Sequence, residues 1–348
     1  MGKTSKKPRL KDIASRANTT EATVSMVLNS RRYDQVSVKT RERIQKIAAE
    51  MGYVPNRMAQ MLVQGRTDTI LMLVTDLTSA FVNQYVALFS EIFEEKGYTL
   101  FPLASLSDTN REAKHIQFLS QQYFDGAICL EYDWHNQDCY ADLDAKLPLV
   151  TRIWPESNFT CPFPHVVIDY EPGVTKLFEH FVQQDRKHIA MLITVPPTTQ
   201  EIDQENPRVC LYRQVLEKFA YPQEHQAWYT IHLGPNLYKE TYCQTKALMK
   251  DNPDIDVLLL HSSDLVLPVY QALIDLGIKI GTDVGVAAFD QYNQLEFLHP
   301  TITVVREPVE QIGQTMAGML LDRLANKKLD PDAVRYDSEL LIQQSTQR

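Results

Sequence analysis

The sequence lacks the short motifs by which common enzyme classes are recognised. Its twelve glycines include no Gly-x-Gly pair, and its only Gly-Lys dipeptide, Gly2-Lys3, follows no glycine-rich loop. A dinucleotide-binding turn needs the first pattern, and a phosphate-binding P-loop needs the second. The motifs His-Glu-x-x-His and Gly-x-Ser-x-Gly are also missing, which leaves metallopeptidase and α/β-hydrolase chemistry without support. These absences favour a protein that is not an enzyme.

Cysteine and long apolar runs are scarce as well. The five cysteines are scattered and include no Cys-x-x-Cys pair, so we expect reduced, core-filling thiols rather than disulfides or a zinc site. No apolar run approaches the roughly 18 residues that a membrane span needs. The basic start, MGKTSKKPRLKD, is not followed by the apolar stretch of a secretory signal. We therefore expect a cytoplasmic protein without a metal, a cofactor or a membrane partner.

Charge is distributed unevenly along the 348 residues. Residues 1–66 contain 14 basic and 5 acidic residues, whereas the rest of the chain contains 21 basic and 39 acidic residues. A basic segment joined to a larger acidic one is typical of a nucleic-acid-binding module attached to another domain. Because an acidic body repels DNA, we expect the DNA contacts to be confined to the basic segment.

The basic segment contains three short helical patterns, in which apolar residues share one face. These residues are Leu10, Ile13, Ala14 and Ala17, then Val24, Val27 and Leu28, then Ile44, Ile47, Ala48 and Met51. Asn18 and Thr20 separate the first two helices, and Thr20 and Ser37 are suitable N-caps. Two short helices joined by such a turn predict a helix-turn-helix. The outer side of the second helix is small and polar, as a helix that enters the DNA major groove requires.

A further helix of barely two turns is predicted in the stretch GYVPNRMAQMLVQGRT. Asn56 is a good cap, Met58, Met61 and Leu62 share one side, and Gly65 ends the helix. A helix this short is marginal alone. We therefore expect it to form only when something holds it, as in a switch.

From Thr69 onward, apolar strand-like runs alternate with amphipathic helices. The predicted strands are TILMLVTD, YTLFPL, GAICLEY, PLVTRIW, HVVIDY, HIAMLIT, DVLLLHS and VGVAAFD. This alternation predicts parallel sheets with helices on both faces, and the length allows two such lobes. We therefore expect an all-α helix-turn-helix head and an α/β body of two doubly wound parallel-sheet lobes.

The ends of these strands carry polar and aromatic residues. They are Asp76, Glu131, Arg152, Trp154, Asp169, His261 and Asp290. Because ligands of open α/β sheets bind beyond the carboxyl ends of the strands, this set suits a small polar molecule held between two lobes. A single aspartate at such a place is also a common cap of the next helix, and His261 alone favours a structural role.

Three longer stretches carry a family signature: RLKDIASRANTTEATVSMVLN, VSVKTRERIQKIAAEMGYVPNRMAQMLVQGRT and DVGVAAFDQYNQLEFLHPTITVV. They resemble the transcription regulators of the LacI/GalR family, and the likeness runs nearly end to end. It implies a helix-turn-helix domain over 1–54, a hinge helix and linker over 55–66, and a periplasmic-binding-protein-like, effector-binding and dimerisation domain over 67–348. It also implies a homodimer on a palindromic operator, with Leu62 inserted into the minor groove.

The resemblance implies DNA contacts residue by residue. Phosphate-contacting positions are Thr20, Thr23, Ser25, Asn29, Ser37 and Thr40, base-reading positions are Glu21, Ala22 and Met26, and hinge positions are Asn56, Ala59, Gln60 and Leu62. Glu21 either accepts from cytosine or only stabilises the helix N-terminus. The family commonly has arginine where Met26 stands, and methionine can only pack against a base. In the longer loop NSRRYDQVS, Arg31 and Arg32 either contact the DNA backbone or stay solvated.

The resemblance also implies an effector cleft. Its residues are Phe81, Trp154, Arg208, Asp264 and Asp290, to which the strand ends add Asp169. Arg208 is expected to grip the ligand, Asp290 to accept from its hydroxyls or amines, and Trp154 to stack on a sugar or flat ring. The stretch HSSD departs from the family, which usually has asparagine before the aspartate. The segment TVPPTTQEIDQENPR is expected to be a mobile flap over the cleft.

Together these observations predict a transcription regulator, and most often a repressor in such families. A small-molecule effector, sugar-like in character and bound between the lobes, is expected to switch its operator affinity. A stand-alone solute-binding protein and an α/β enzyme are the alternatives. The first has no helix-turn-helix and carries an export signal, and the second lacks its usual motifs here.

Overall fold

The computed structural model describes residues 8–28, 35–53, 66–119, 124–132, 134–154, 161–197, 202, 204, 206–223, 226–329 and 333–348. The chain divides into two compact units, Met1–Thr67 and Asp68–Arg348. The predicted hinge positions Asn56, Ala59, Gln60 and Leu62 lie outside the described residues, and so do Asn29, Arg31 and Arg32. Most of the predicted flap before Asn206 lies outside them too.

The first unit is a three-helix module. Helix α1 spans Leu10–Arg16, α2 spans Glu21–Leu28 and α3 spans Val38–Glu50. All three contribute to one apolar core, which contains Ile13, Ala14, Ala17, Val24, Val27, Val36, Ile44 and Ala48. Asn18 turns the chain with a left-handed φ of 47°, and the hydroxyl of Thr20 accepts from the amide of Thr23 at 3.2 Å, which caps α2. The helix-turn-helix predicted from the apolar spacing is confirmed.

The second unit contains two six-stranded sheets, each the centre of a lobe. The strands are β1 Thr69–Val74, β2 Thr99–Ala104, β3 Gly126–Cys129, β4 Leu149–Ile153, β5 His165–Asp169, β6 Ile189–Val195, β7 Gln226–His232, β8 Val257–Leu260, β9 Gly285–Phe289, β10 Thr303–Arg306, β11 Ala333–Asp337 and β12 Glu339–Leu341. The helices are α4 Ala80–Glu95, α5 Thr109–Leu119, α6 Gln137–Asp144, α7 Glu171–Gln183, α8 Pro207–Lys218, α9 Leu237–Asp251, α10 Val266–Asp275 and α11 Val309–Leu324.

The sheets have the doubly wound order that the alternating pattern predicts. The first lobe orders its strands β11-β5-β4-β3-β1-β2, and the second orders them β12-β10-β9-β8-β6-β7. Neighbouring strands pair in parallel, except that β12 runs antiparallel to β10. Parallel pairing requires the helical crossovers that cover both faces of each sheet.

Three connections pass from one lobe to the other, after β5, after β10 and after β11. They meet at Gly173 and Ser338: the Ser338 amide donates to the Asp169 carbonyl at 2.8 Å, and the Gly173 amide donates to the Ser338 hydroxyl at 3.2 Å. A Cβ on Gly173 would lie 2.5 Å from that hydroxyl and 2.6 Å from Val305. The close approach of the connections therefore requires glycine at this position.

Two further features bear on the class of protein. Cys129 and Cys161 are buried, Cys139 and Cys210 are half-buried and Cys243 is exposed, so the expectation of core-filling thiols holds for two of the five. Within the described ranges, no helix combines the length and the apolar content that crossing a membrane would take.

Candidate functional site

The outer face of α2 and the start of α3 present small polar side chains to solvent. The residues here that were predicted to contact DNA are all at least partly exposed: Thr20, Glu21, Ala22, Thr23, Ser25, Met26, Ser37 and Thr40. Their neighbours Val24 and Val27 point into the core instead. The hydroxyls of Ser37 and Thr40 lie 2.9 Å apart at the first turn of α3. These exposed hydroxyls are the kind of group that donates to DNA phosphates.

A cavity of about 670 Å³ is lined by both lobes of the second unit. Phe81 and Trp154 reach it from the first lobe, and Arg208, Asp264 and Asp290 reach it from the second. The structure thus brings together five of the six residues that were predicted to bind an effector. The cavity lies within the usual size range of small-molecule sites.

Asp169, the sixth, is elsewhere, and its assignment to the cleft is not supported. Its carboxylate accepts from the amide of Glu171 at 2.9 Å and pairs with Arg335 on the neighbouring strand. The cause is strand alternation: Ile168 and Tyr170 on either side of it belong to the interior core, so Asp169 faces the other way. It caps α7 and ties β5 to β11.

Arg208 occupies the first turn of α8. The Asn206 side chain caps that helix by accepting from the Arg208 amide at 3.0 Å. The guanidinium lies 3.0 Å from the Asp290 carboxylate, donates to the His261 carbonyl and sits 4.3 Å from the Trp154 ring centroid, a cation–π distance. Burial opposes the charge, but Asp290 and neighbouring tyrosines keep the pKa of Arg208 above its usual value. A buried, permanently charged donor therefore lines the cavity.

Asp290 is held under strain. Its φ of 66° lies in the left-handed region, which costs a residue other than glycine on the order of 1–3 kcal/mol and clusters at ligand sites. Its amide donates to the Val305 carbonyl at 2.8 Å, and the Tyr170 hydroxyl donates to its Oδ1 at 2.7 Å. Burial raises the pKa of Asp290, the Arg208 charge lowers it, and Glu307 raises it. The strained backbone and these two hydrogen bonds hold the carboxylate at the cavity wall.

Asp264 connects the two lobes across the cavity. Its carboxylate accepts from the amide of Ala80 at 3.1 Å, and Ala80 is the first residue of α4 in the first lobe. Burial raises the pKa of Asp264, and its hydrogen bonds act in the opposite direction. A second link lies nearby, where the Gln84 side chain donates to the Gln291 carbonyl at 2.6 Å. The lobes are thus closed on each other by contacts at the helix N-terminus.

A buried polar network lies beside Asp290, and the sequence pattern did not reveal it. Arg152 and Glu307 form an ion pair in which both side chains are buried. Tyr85 donates to Glu307, and Tyr170 lies 2.8 Å from Glu307 as well as 2.7 Å from Asp290. Arg152 and Tyr85 belong to the first lobe, whereas Glu307 stands on a connection between lobes. The network therefore joins the cavity carboxylate to the inter-lobe connection.

His261 differs from its sequence-based expectation. His261 was favoured as a structural residue but lines the cavity, and its Nδ1 lies 2.8 Å from the Thr194 hydroxyl. In the part of the chain that is described, no three histidine, cysteine, aspartate or glutamate residues cluster as metal ligands. The signal for Tyr170 was its place as the last residue of the predicted strand HVVIDY.

Comparison with known proteins matches each unit to a family model. Residues 9–56 match the model of bacterial regulatory proteins of the lacI family, and residues 178–346 match that of the periplasmic binding protein-like domain. The chain is 26% identical over 347 residues to the HTH-type transcriptional regulator CelR of Thermobifida fusca, covering 98% of both chains. It is 23% identical to the HTH-type transcriptional repressor PurR of Escherichia coli, covering 97% of this chain and 96% of that one.

Solved structures share the whole fold. A LacI-family transcriptional regulator from Silicibacter pomeroyi superposes with a TM-score of 0.81 at 20% identity, covering 98% of this chain and all of that one. The lac repressor dimer bound to operator and an anti-inducer superposes with a TM-score of 0.76 at 20% identity, covering 99% of this chain and 100% of that one. The CelR–cellobiose complex superposes with a TM-score of 0.63 at 24% identity, covering 97% of this chain and 99% of that one.

The matches to the two family models and to whole relatives agree with each other. A lacI-type helix-turn-helix head joined to a periplasmic-binding-protein-like body matches the CelR and PurR regulators over nearly their full length. Members of that family regulate transcription and are not enzymes, in agreement with the missing catalytic motifs. The chain therefore belongs to the LacI family of DNA-binding transcription regulators.

Proposed function

We propose that this protein is a repressor that binds a palindromic operator as a homodimer in the cytoplasm and changes its DNA affinity when a sugar-like effector occupies the cavity. The cavity itself carries the proposal, since it places the buried Arg208–Asp290 pair and the Trp154 ring on one ligand-sized space. Phe81 and Asp264 complete its walls. Neither a catalytic motif nor a metal-ligand cluster among the described residues offers it another use.

The charges of the cavity favour a neutral, hydroxyl-rich ligand. Asp290 already balances the Arg208 charge, so an anionic ligand would find no free arginine or lysine among the described lining residues. Asp76 and Asp264 are buried carboxylates at the same cavity, and carboxylates accept from hydroxyls. Trp154 offers an aromatic face to the apolar side of a ring. The related CelR was solved with cellobiose, which fits the same class of ligand.

DNA recognition is assigned to α2, to the start of α3 and to residues 55–66 near the end of the first unit. The exposed hydroxyls of Thr20, Thr23, Ser25, Ser37 and Thr40 are proposed to bind phosphates, and Glu21, Ala22 and Met26 to face base edges. Asn29, Arg31, Arg32, Asn56, Ala59, Gln60 and Leu62 lie outside the described residues, and their DNA roles rest on the family resemblance alone. A hinge helix over 55–66 is part of the same proposal.

The homodimer is supported by an unpaired apolar strip on the second lobe. Leu267 and Ile274 are 47% and 57% exposed and lie seven residues apart on α10, which places them on one side of that helix. The related lac repressor was solved as a dimer on its operator. A second copy covering this strip would form a homodimer, which is what a palindromic operator requires.

Effector action is proposed to pass from Asp290 to the inter-lobe connection. The Tyr170 hydroxyl has one proton and lies within hydrogen-bond distance of both Asp290 and Glu307. A ligand hydroxyl that donates to Asp290 would free that proton for Glu307. The preferred angle between the lobes would then change, and with it the spacing of the two hinge helices.

A gel shift with genomic DNA fragments, run with and without cellobiose, lactose and glucose, tests this function. A repressor of this kind retards a small set of fragments, and one sugar alters that retardation. If no fragment is retarded, the DNA-binding role is refuted. If retardation occurs but no sugar changes it, the sugar effector is refuted while the DNA-binding role stands.

A further inference from the structure

Several buried polar atoms of the second lobe have no hydrogen-bond partner among the described residues. Arg208 Nε, Tyr212 Oη, His261 Nε2 and Ser263 Oγ are among them. Arg208 and His261 both line the cavity, and they touch, because the Arg208 guanidinium donates to the His261 carbonyl. Buried polar groups are nearly always hydrogen-bonded, and leaving one unpaired costs on the order of 1–3 kcal/mol. Two such atoms on contacting residues that both line a cavity therefore suggest that a ligand satisfies them.

The imidazole of His261 is neutral in this setting. Burial, helped by the nearby Arg208 charge, lowers the pKa of His261 well below 6.5. A neutral imidazole has one donor nitrogen and one acceptor nitrogen. Its Nδ1 is occupied by the Thr194 hydroxyl at 2.8 Å, which fixes the ring plane and leaves Nε2 as the ring nitrogen without a partner among the described residues.

Trp154 forms an aromatic wall beside this pair. The Arg208 Cζ atom and the Tyr170 ring centroid each lie 4.3 Å from the Trp154 ring centroid, yet they are only 5.3 Å from each other. Groups on opposite faces of the indole would lie about twice 4.3 Å apart. Arg208 and Tyr170 therefore do not cover opposite faces of Trp154, which is a lining residue of the cavity.

We propose that His261 is a specificity-determining residue of the effector cavity, which selects a ligand hydroxyl through Nε2 beside Arg208 Nε. This rests on the function proposed above and names the ligand group that the second lobe reads. Arg208 Nε can only donate, whereas the role of His261 Nε2 depends on the Thr194 proton. A hydroxyl accepts and donates, so it serves both atoms. A carboxylate has no proton to give and would approach the Asp290 carboxylate, 3.0 Å from Arg208.

The experiment measures the affinities of wild type, His261→Phe and His261→Gln for cellobiose, lactose and their monodeoxy derivatives by titration calorimetry. Wild type should bind one parent sugar and lose roughly 5- to 150-fold in affinity when one particular hydroxyl is deleted. His261→Phe keeps the ring shape but has no Nε2, so it should bind the parent more weakly and no longer distinguish that deoxy sugar. His261→Gln should recover part of the discrimination, because its amide can both donate and accept.

His188→Phe is the matched control, since His188 precedes β6 and is not among the lining residues. It should discriminate among the deoxy sugars as wild type does. Deoxy discrimination that is unchanged in His261→Phe overturns the role of His261 and leaves the proposed sugar response standing. If wild type binds none of the sugars, the sugar effector fails and this inference fails with it. A purely structural role would weaken all sugars equally in His261→Phe, which also overturns the proposal.

Discussion

Removal of Arg152 should be among the most destabilising single changes in the body of the protein. Arg152 and Glu307 are almost completely buried, with side chains 1% and 0% exposed in their ion pair. Arg152→Met replaces the guanidinium with an apolar chain and leaves the Glu307 carboxylate without its counter-ion. Breaking a buried pair in this way costs roughly 3–5 kcal/mol, because the remaining charge is desolvated and uncompensated.

The cost should be seen directly in thermal unfolding. For domains of about 150–250 residues, 1 kcal/mol shifts Tm by roughly 2–4 °C, so Arg152→Met should lower Tm by about 6–20 °C. The double variant Arg152→Met/Glu307→Gln removes both charges and should lower Tm by less than Arg152→Met alone. The effects of substituting the two partners of one buried pair are not additive, and the departure from additivity measures the coupling between the partners.

A matched control lies one residue before Glu307 in the chain. Arg306 pairs with Glu339 at 3.4 Å, but these side chains are 41% and 66% exposed. Exposed pairs contribute about 0–1 kcal/mol, so Arg306→Met should shift Tm by no more than a few degrees. Equal effects of Arg152→Met and Arg306→Met, or a double variant as costly as the sum of its single changes, would refute the network described here.

Three further predictions concern function. Arg208→Ala should keep DNA binding but lose roughly 10- to 150-fold in effector affinity. The affinity is measured by Trp154 fluorescence, with Trp154→Phe as the silent control, and a wild-type response would show that Arg208 is not part of the site. Leu62→Ala should abolish most DNA bending in a circular-permutation gel without altering the melting curve, and unchanged bending would rule out the wedge. DNA affinity should fall with salt at a log–log slope of about 0.9 per neutralised phosphate; a slope near zero would exclude the basic segment as the contact.

Much of the fold was accessible from the sequence because its signals are local. The eight predicted strands correspond to β1–β6, β8 and β9, since each is a continuous apolar run bounded by polar residues. Strand β7 was missed because Gln226–His232 is only partly buried at the sheet edge, which weakens the apolar pattern. Strand β11 was missed because it joins the sheet of the first lobe although the preceding strands β6–β10 belong to the second lobe. Its residues Ala333–Asp337 also alternate in exposure.

The candidate site was predictable only where a residue follows a recognisable strand or resembles a family position. Asp290 and Trp154 met those conditions and line the cavity. Asp169 met the first condition, but strand alternation turns it away towards Arg335. Glu307 and Tyr85 are 222 positions apart, so no local pattern links them, and only the packing of the lobes brings them to Tyr170. The state of His261 likewise depends on Arg208, which is 53 positions away.

The central claim is that a small molecule in the cavity between the lobes controls DNA binding. It is tested most directly by measuring operator affinity by fluorescence anisotropy for wild type and Asp290→Asn, each with increasing amounts of the sugar that alters the gel shift. Both proteins should bind operator without sugar, because the DNA contacts belong to the first unit. Wild-type affinity should change with sugar, whereas the Asp290→Asn response should require at least about 10-fold more sugar. Identical sugar dependence in the two proteins would contradict the claim.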